Sequence, residues 1–373
     1  LAPCAASFVA QIGRDAGAQI AKNDQLLDGL LGVLPQVLNA TGQSDTAQQT
    51  GVLLIEGVAR AVGFSDAGKL MGRLAVLVGP LSTQLRAATA AGDSAVPEAV
   101  RVLQLLRSTV QYLNASTKSV QQSGQHPLLT IIEQAWPDVA GCASAFCTNS
   151  EVSFAVSELL QMTLRSADAA AVGAILAPVG ELVVASNGVA PLSAGWLELL
   201  TTVVEVCGRH ATASPAAAES GPELLEQLSR LVRTVVGRTL MALSGTDPGD
   251  AAPAVEGILD VGFRCALFCP VALRDSEVAN GLLELAVACL AMDQRGPLRS
   301  ACMLLGRLCQ DISRGGASAL PAVSQWFVGT EAHGGIRSAF SMFCAAAQTS
   351  SRESLPKMIQ VRQHVRPLGF AEI

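Results

Sequence analysis

LLEQLSRLVRTVVGRTL, residues 224–240, decides the fold. Its apolar residues fall at Leu224, Leu225, Leu228, Leu231, Val232, Val235, Val236 and Leu240. Steps of three and four put them on one stripe of an α-helix. Glu226, Gln227, Arg230 and Arg233 take the other face. Ser220 stands three residues before Glu223, with Pro222 between them, which reads as a capping box opening the helix. Thr148 with Glu151 and Ser350 with Glu353 give the same start signal.

The pattern recurs along the whole chain. It predicts about sixteen helices, starting near Pro3, Asp24, Thr46, Asp66, Val96, Pro127, Asn149, Asp168, Leu192, Pro222, Pro253, Ser276, Gly296, Gly316, Gly335 and Leu355. A helix pair takes roughly 40 to 47 residues, the period of HEAT and armadillo repeats. Connectors such as Gly63-Phe64-Ser65, Ser186-Asn187-Gly188 and Gly245-Thr246-Asp247 are short, so neighbours run antiparallel. Two longer polar segments, Ser116–Gln125 and Ala211–Gly221, read as surface loops within the array. The Thr201-Thr202-Val203-Val204 run has strand-like residues, but it sits inside the longer helical period Leu197, Leu200, Val203, Val204, Cys207. The expectation is an all-α fold: a HEAT-repeat, armadillo-like α-solenoid of about eight antiparallel helix pairs, continuous over residues 1–373. Such an array offers a long concave surface, suited to protein partners more than to small molecules.

Composition supports close helix packing. Half of the 373 residues are hydrophobic and only 4% are aromatic, so Ala, Leu and Val build the interior. Mean hydropathy is +0.40, which raises the question of a membrane span. The best candidate, Ala169 to Gly180, stops at Glu181, short of the roughly 20 apolar residues a span needs. A net charge of −6 disfavours nucleic acid, which requires a basic footprint. The ten cysteines lack any C-x-x-C pair and mostly lie in apolar helical patterns, as buried free thiols do. Leu1 in place of Met reads as the start of a fragment or processed product.

Motifs for chemistry fail on inspection. GFSDAGKL, Gly63–Leu70, matches the glycine and lysine spacing of a phosphate loop. However, Leu70 stands where a magnesium-binding hydroxyl belongs, and the preceding residues read as a helix instead of a strand. A helix–helix turn with Asp66 as cap is expected. His126, His210, His333 and His364 are far apart and fall at loops or helix ends. Catalytic, cofactor-binding and metal-binding residues are therefore all expected to be none, and the chain is expected not to be an enzyme.

HPLLTIIEQAWPDV, His126–Val139, is the most specific stretch. Pro127 suits a first helical turn, and Pro137 is expected to end that helix, with Trp136 at the kink filling the gap between repeats. HPLLTIIEQAWP resembles a segment in the C-terminal half of the transportin-SR and importin-thirteen branch of the importin-β superfamily. VLLIEGVARAV upstream is similar to the helix that precedes this segment's polar loop. Downstream, VSELLQMTLRSADAAAVGAILAPVGELVVAS and LLELAVACLAMDQRGPLRSACMLLGRLC are similar to the family's following and last repeats.

The resemblance implies the C-terminal portion of a nuclear transport receptor. Such a receptor binds protein cargo on its inner surface and phenylalanine-glycine nucleoporins on its outer surface. It releases import cargo to the GTP form of Ran, whose main site would lie outside this chain. It shuttles between cytoplasm and nucleus through the pores. No cofactor, direct nucleic acid or membrane is implied. Transportin-SR members place several arginines on the helix corresponding to Glu151–Arg165, for phosphorylated Arg-Ser cargo. Here Arg165 remains and Glu158 stands where a cation would help, so these two are the candidate cargo-binding residues. A general HEAT or armadillo scaffold without a Ran response is the alternative.

Overall fold

A computed structural model describes residues 2–40, 45–113, 126–213, 217–290, 292–313 and 320–328. Among these residues there are fourteen α-helices and no strands. In chain order they are α1 (Ala2–Lys22), α2 (Asp24–Ala40), α3 (Asp45–Gly63), α4 (Ala67–Ala91), α5 (Val96–Tyr112), α6 (Pro127–Ala145) and α7 (Ser150–Ser166). They continue as α8 (Ala169–Val189), α9 (Ala194–Ala213), α10 (Ala217–Leu243), α11 (Ala252–Phe268), α12 (Ser276–Cys289), α13 (Arg295–Ser313) and α14 (Pro321–Val328). The helix starts expected near Gly335 and Leu355, the capping pair Ser350 and Glu353, and His333, His364 and Cys344 lie outside the described residues.

The chain packs as two compact units, residues 1–182 and 183–373. In the first, odd-numbered helices form one row, α1 on α3, α3 on α5 and α5 on α7. The even-numbered helices α2, α4 and α6 form a second row packed against it. The second unit repeats the arrangement, with α9, α11 and α13 in one row and α10, α12 and α14 in the other. Within each unit, most helices thus meet a chain neighbour across the layers and the next-but-one helix within their row. Each unit is an all-α helical-repeat stack.

Side-chain bridges within the rows show the repeat length directly. Lys69 reaches back 45 residues to Asp24, Arg86 forward 52 to Asp138, and Thr130 back 59 to Met71. The spacing is less regular than the expected 40 to 47 residues: the first bridge falls inside that range and the other two exceed it, where α4 has 25 residues and a 3-10 turn, Gly92–Ala95, precedes α5.

Leu, Val and Ala fill both cores, as composition required: Leu105, Leu106, Leu160, Val203 and Val235 are all wholly buried. Burying each such side chain contributes about 1.5–3 kcal/mol. Trp196 is the one fully enclosed aromatic among the largest buried side chains. Trp136, expected to wedge between repeats, is half-buried.

Four local expectations need correction. First, α6 does not stop at Trp136; it runs through Pro137 to Ala145. Packing of Ile131, Ala135, Val139 and Cys142 on one buried stripe holds the helix together across the proline. Second, the cap of α7 is Asn149, not Thr148, its Oδ1 accepting from the Val152 amide at 3.1 Å. Third, α10 starts at Ala217 and α9 runs to Ala213, so most of the supposed loop Ala211–Gly221 is helical. Fourth, VLLIEGVARAV lies in α3, with α4 and α5 between it and the 114–125 segment.

One helix segment, Ala171–Val189, is long and apolar enough to cross a membrane by length and composition. Its buried residues Val172, Ile175, Leu176, Val179, Leu182 and Val183 follow helical core spacing. Glu181 is exposed in the middle of the stretch. These features fit a packed core helix.

Candidate protein-binding face

The sequence pointed to α7. Val152, Val156, Leu159, Leu160 and Leu164 form its buried side. The opposite stripe carries Glu151, Phe154, Glu158, Gln161 and Arg165, at steps of three and four. Glu158 and Arg165 therefore share a face, about 10 Å apart along the axis. Arg165 lies exposed in the last turn, where a cation complements the helix dipole.

Glu158 does not stand alone. Its Oε2 accepts from Arg107 Nη1 of α5 at 3.2 Å. The two side chains are 45% and 36% exposed, so the pair sits in solvent and is worth little as stability. Its consequence is local charge. The Arg107 guanidinium is engaged by a carboxylate one repeat away, and its Nε is enclosed without a partner. Arg107 was missed in the sequence, because only the register of α5 against α7 reveals the pairing.

The same device recurs along the odd row. Glu56 Oε1 accepts from Arg14 at 2.9 Å and from Arg60 at 3.1 Å, joining α1 to α3. The Arg60 guanidinium lies over the Tyr112 ring at 5.0 Å, and Gln48 donates to Gln104, joining α3 to α5. In the second unit, Glu205 accepts from Arg264 at 3.4 Å, and Arg209 covers the Phe268 ring at 4.9 Å. Each unit thus has lateral bridges along one of its rows: Arg14, Arg60 and Arg107 in the first, and Arg209 and Arg264 in the second, each hold a carboxylate or a ring.

The even row is tied more deeply. Arg73 is only 6% exposed. Its Nε donates to Asp28 at 2.9 Å, its Nη2 to Asp24 at 2.7 Å and its Nη1 to Ser65 at 3.0 Å. Burial works against the Arg73 charge, but Asp28 and Asp24 outweigh it and raise its pKa. Lys69 and Arg73 in turn hold the Asp24 carboxyl below the usual carboxylate range. Arg86 and Asp138 form a two-pronged pair at 2.8 and 3.1 Å, which holds the Arg86 pKa above its ordinary value.

This cluster settles the phosphate-loop question. Gly63 ends α3 and a short turn leads to α4, so a helix precedes the motif. Lys69 is paired with Asp24 and the Ser65 hydroxyl accepts from Arg73. The motif is a helix–helix turn that locks α2 to α4. Asp66 is its N-cap by position, without a side-chain cap bond. His126 caps α6, its Nδ1 accepting from the Leu128 amide at 3.2 Å.

The thiols are equally occupied by packing. Cys207 of α9, Cys265 of α11 and Cys269, which caps the end of α11, are buried, and the first two lie close enough to Cys269 to sense its charge. Burial pushes Cys207 to about 12, Cys265 well up, and Cys269 to about 11. Such thiols are protonated and inert at neutral pH. Among the described residues no group of three or more His, Cys, Asp or Glu is placed to hold a metal ion.

No protein-family profile matches the chain, and no curated protein matches it. Among solved structures it is similar to a circular tandem repeat protein of novel repeat topology. That match has 14% identity, covers 98% of this chain and 96% of that one, and has a TM-score of 0.47. It is also similar to an engineered protein, at 15% identity over 98% of this chain and 95% of that one, with a TM-score of 0.31.

Proposed function

We propose that this helical-repeat scaffold is part of a nuclear transport receptor of the importin-β type, holding protein cargo on the odd-row face around Glu158 and Arg165. The observation that carries the reading is the order of the resembling segments. HPLLTIIEQAWP is the cap and body of α6, VSELLQMTLR is α7, and the run to Ser186 is α8, consecutive helices in the order the resemblance implies. The face has chemistry suited to a polypeptide. It carries carboxylates, guanidinium groups and the exposed Phe154 on neighbouring helices.

Paired guanidinium groups favour neutral or basic cargo over phosphorylated cargo. Arg107, the cation nearest Glu158, already has its carboxylate. Release would follow from linkage: Ran in its GTP form and import cargo prefer different states of the array, so each lowers the other's affinity. Nucleoporin contacts and shuttling between cytoplasm and nucleus belong to the same reading.

The test uses the native protein captured from cell extract with its bound partners. GTP-locked Ran should release them, and GDP-loaded Ran should not. Retention of the same partners in both would replace this reading with a scaffold that assembles a complex without Ran.

A further inference from the structure

We infer that the even row of the first unit is a jointed layer, hinged at a row of prolines, and that the described helices α10, α12 and α14 of the second unit lack this joint. Pro35 lies inside α2, Pro80 inside α4 and Pro137 inside α6. All three fall in the interior of their helices and all within residues 1–182. In the second unit, Pro222 sits in the second turn of α10, Pro321 opens α14, and α12 has none. The odd row places Pro97 and Pro253 in the first turns of α5 and α11, where a missing N–H costs nothing.

An interior proline has two effects. It donates no hydrogen bond to the carbonyl four residues back, and its ring crowds that carbonyl. The carbonyls of Leu31, Val76 and Glu133 therefore each lose their helical donor. Val76 and Glu133 are exposed, so water can bond there as the helix bends. None of these helices breaks: no residue within them departs from helical backbone angles, whereas α1 does so at Ala16. The helices are continuous but locally weakened, at the same level in successive members of one row. Gly79, directly before Pro80, adds to this, since nothing lies within 4 Å of where its Cβ would be.

Bending at one level across neighbouring helices lets a layer lengthen or shorten while its row-to-row packing is kept. The odd row of the same unit, bridged by Arg14–Glu56 and Arg107–Glu158, has no interior prolines at its helix centres and supplies the stiff reference. The inference stands without the transport reading; it concerns where the array yields, whatever it binds.

Hydrogen–deuterium exchange on the whole chain tests it. Amides around Val76–Arg86 and Glu133–Gly141 should exchange about tenfold or more faster than those in the centres of α5, α10 and α12. A double variant, Pro80→Ala with Pro137→Ala, should slow those same amides by about tenfold while α5, α10 and α12 stay unchanged. Equal exchange in α4 and α5 would show that the unit opens as a whole, and would overturn the inference. A double variant that exchanges like the parent would overturn it too.

Discussion

Gly13 of α1 and Gly57 of α3 meet backbone to backbone. A Cβ added to Gly13 would stand 2.5 Å from the Gly57 carbonyl oxygen. Only a residue without a side chain permits this approach, and it draws α1 close onto α3. Gly57→Ala should push the helices apart and cost about 1–3 kcal/mol of first-unit stability, as overpacking does. Urea unfolding followed by exchange in α1 would show it. An unchanged midpoint would mean that the crossing relaxes freely.

Other helical glycines have the opposite character. Nothing lies within 4 Å of a Cβ at Gly72 or Gly141. Alanine there should stabilise by about 0.4–1 kcal/mol each, mainly by restricting the unfolded chain. Thermal unfolding of G72A and G141A against the parent measures this, and a loss of stability at either would contradict the open geometry.

Asp24 gives the acid limb of stability. Its folded pKa is lowered by Lys69 and Arg73, so its contribution is present above the ordinary carboxylate pKa and is lost as pH falls through the depressed folded value. Arg73→Leu should flatten the stability profile below about pH 4, besides lowering stability at pH 7. A profile with the same acid slope would show that another pair carries it.

Thiols give the alkaline limb. Cys207, Cys269 and Cys289 have folded pKa values raised to about 12, about 11 and about 12. Their contribution is complete below the unfolded thiol pKa and is lost as pH rises through the folded values. Stability should therefore fall above about pH 9. At pH 8 a thiol reagent should label exposed Cys4 rapidly and buried Cys207 and Cys265 only after unfolding. Rapid labelling of Cys207 in the native protein would contradict its burial.

Glu158→Gln frees Arg107 on the odd-row face. Binding of a phosphorylated Arg-Ser peptide, read by fluorescence anisotropy, should strengthen a few-fold over the parent, the scale of one exposed ion pair. No change would mean that this part of α7 is not where an anionic peptide settles.

Much of this fold was legible in the sequence because apolar spacing is a local signal. Helix starts near Asp24, Val96, Pro127 and Ser276 agree with the structure to the residue. Caps were harder, since Thr148 and Asn149 are both plausible acceptors and only backbone geometry chooses Asn149. Pro137 was read as a terminus because local preference favours one; burial on both sides of it overrides that preference. On the candidate face, Glu158 and Arg165 could be placed on the polar stripe of α7, but the Arg107 partner could not. Its pairing is 51 residues distant and depends on how α5 and α7 slide past each other.

The reach of the lateral bridges also bears on how the chain is made. The bridges named within the rows span 42 to 59 residues, each within one unit. A helix thus waits for only one further helix pair to leave the ribosome before its row partner exists. At roughly 5–20 residues per second that is a matter of seconds. The loop to be closed at each step stays short, so each unit can assemble progressively from its N-terminal end during synthesis. Apolar stripes on α2 or α4 are then exposed only briefly, and the long, alanine-rich chain avoids holding a large uncovered surface at any one time.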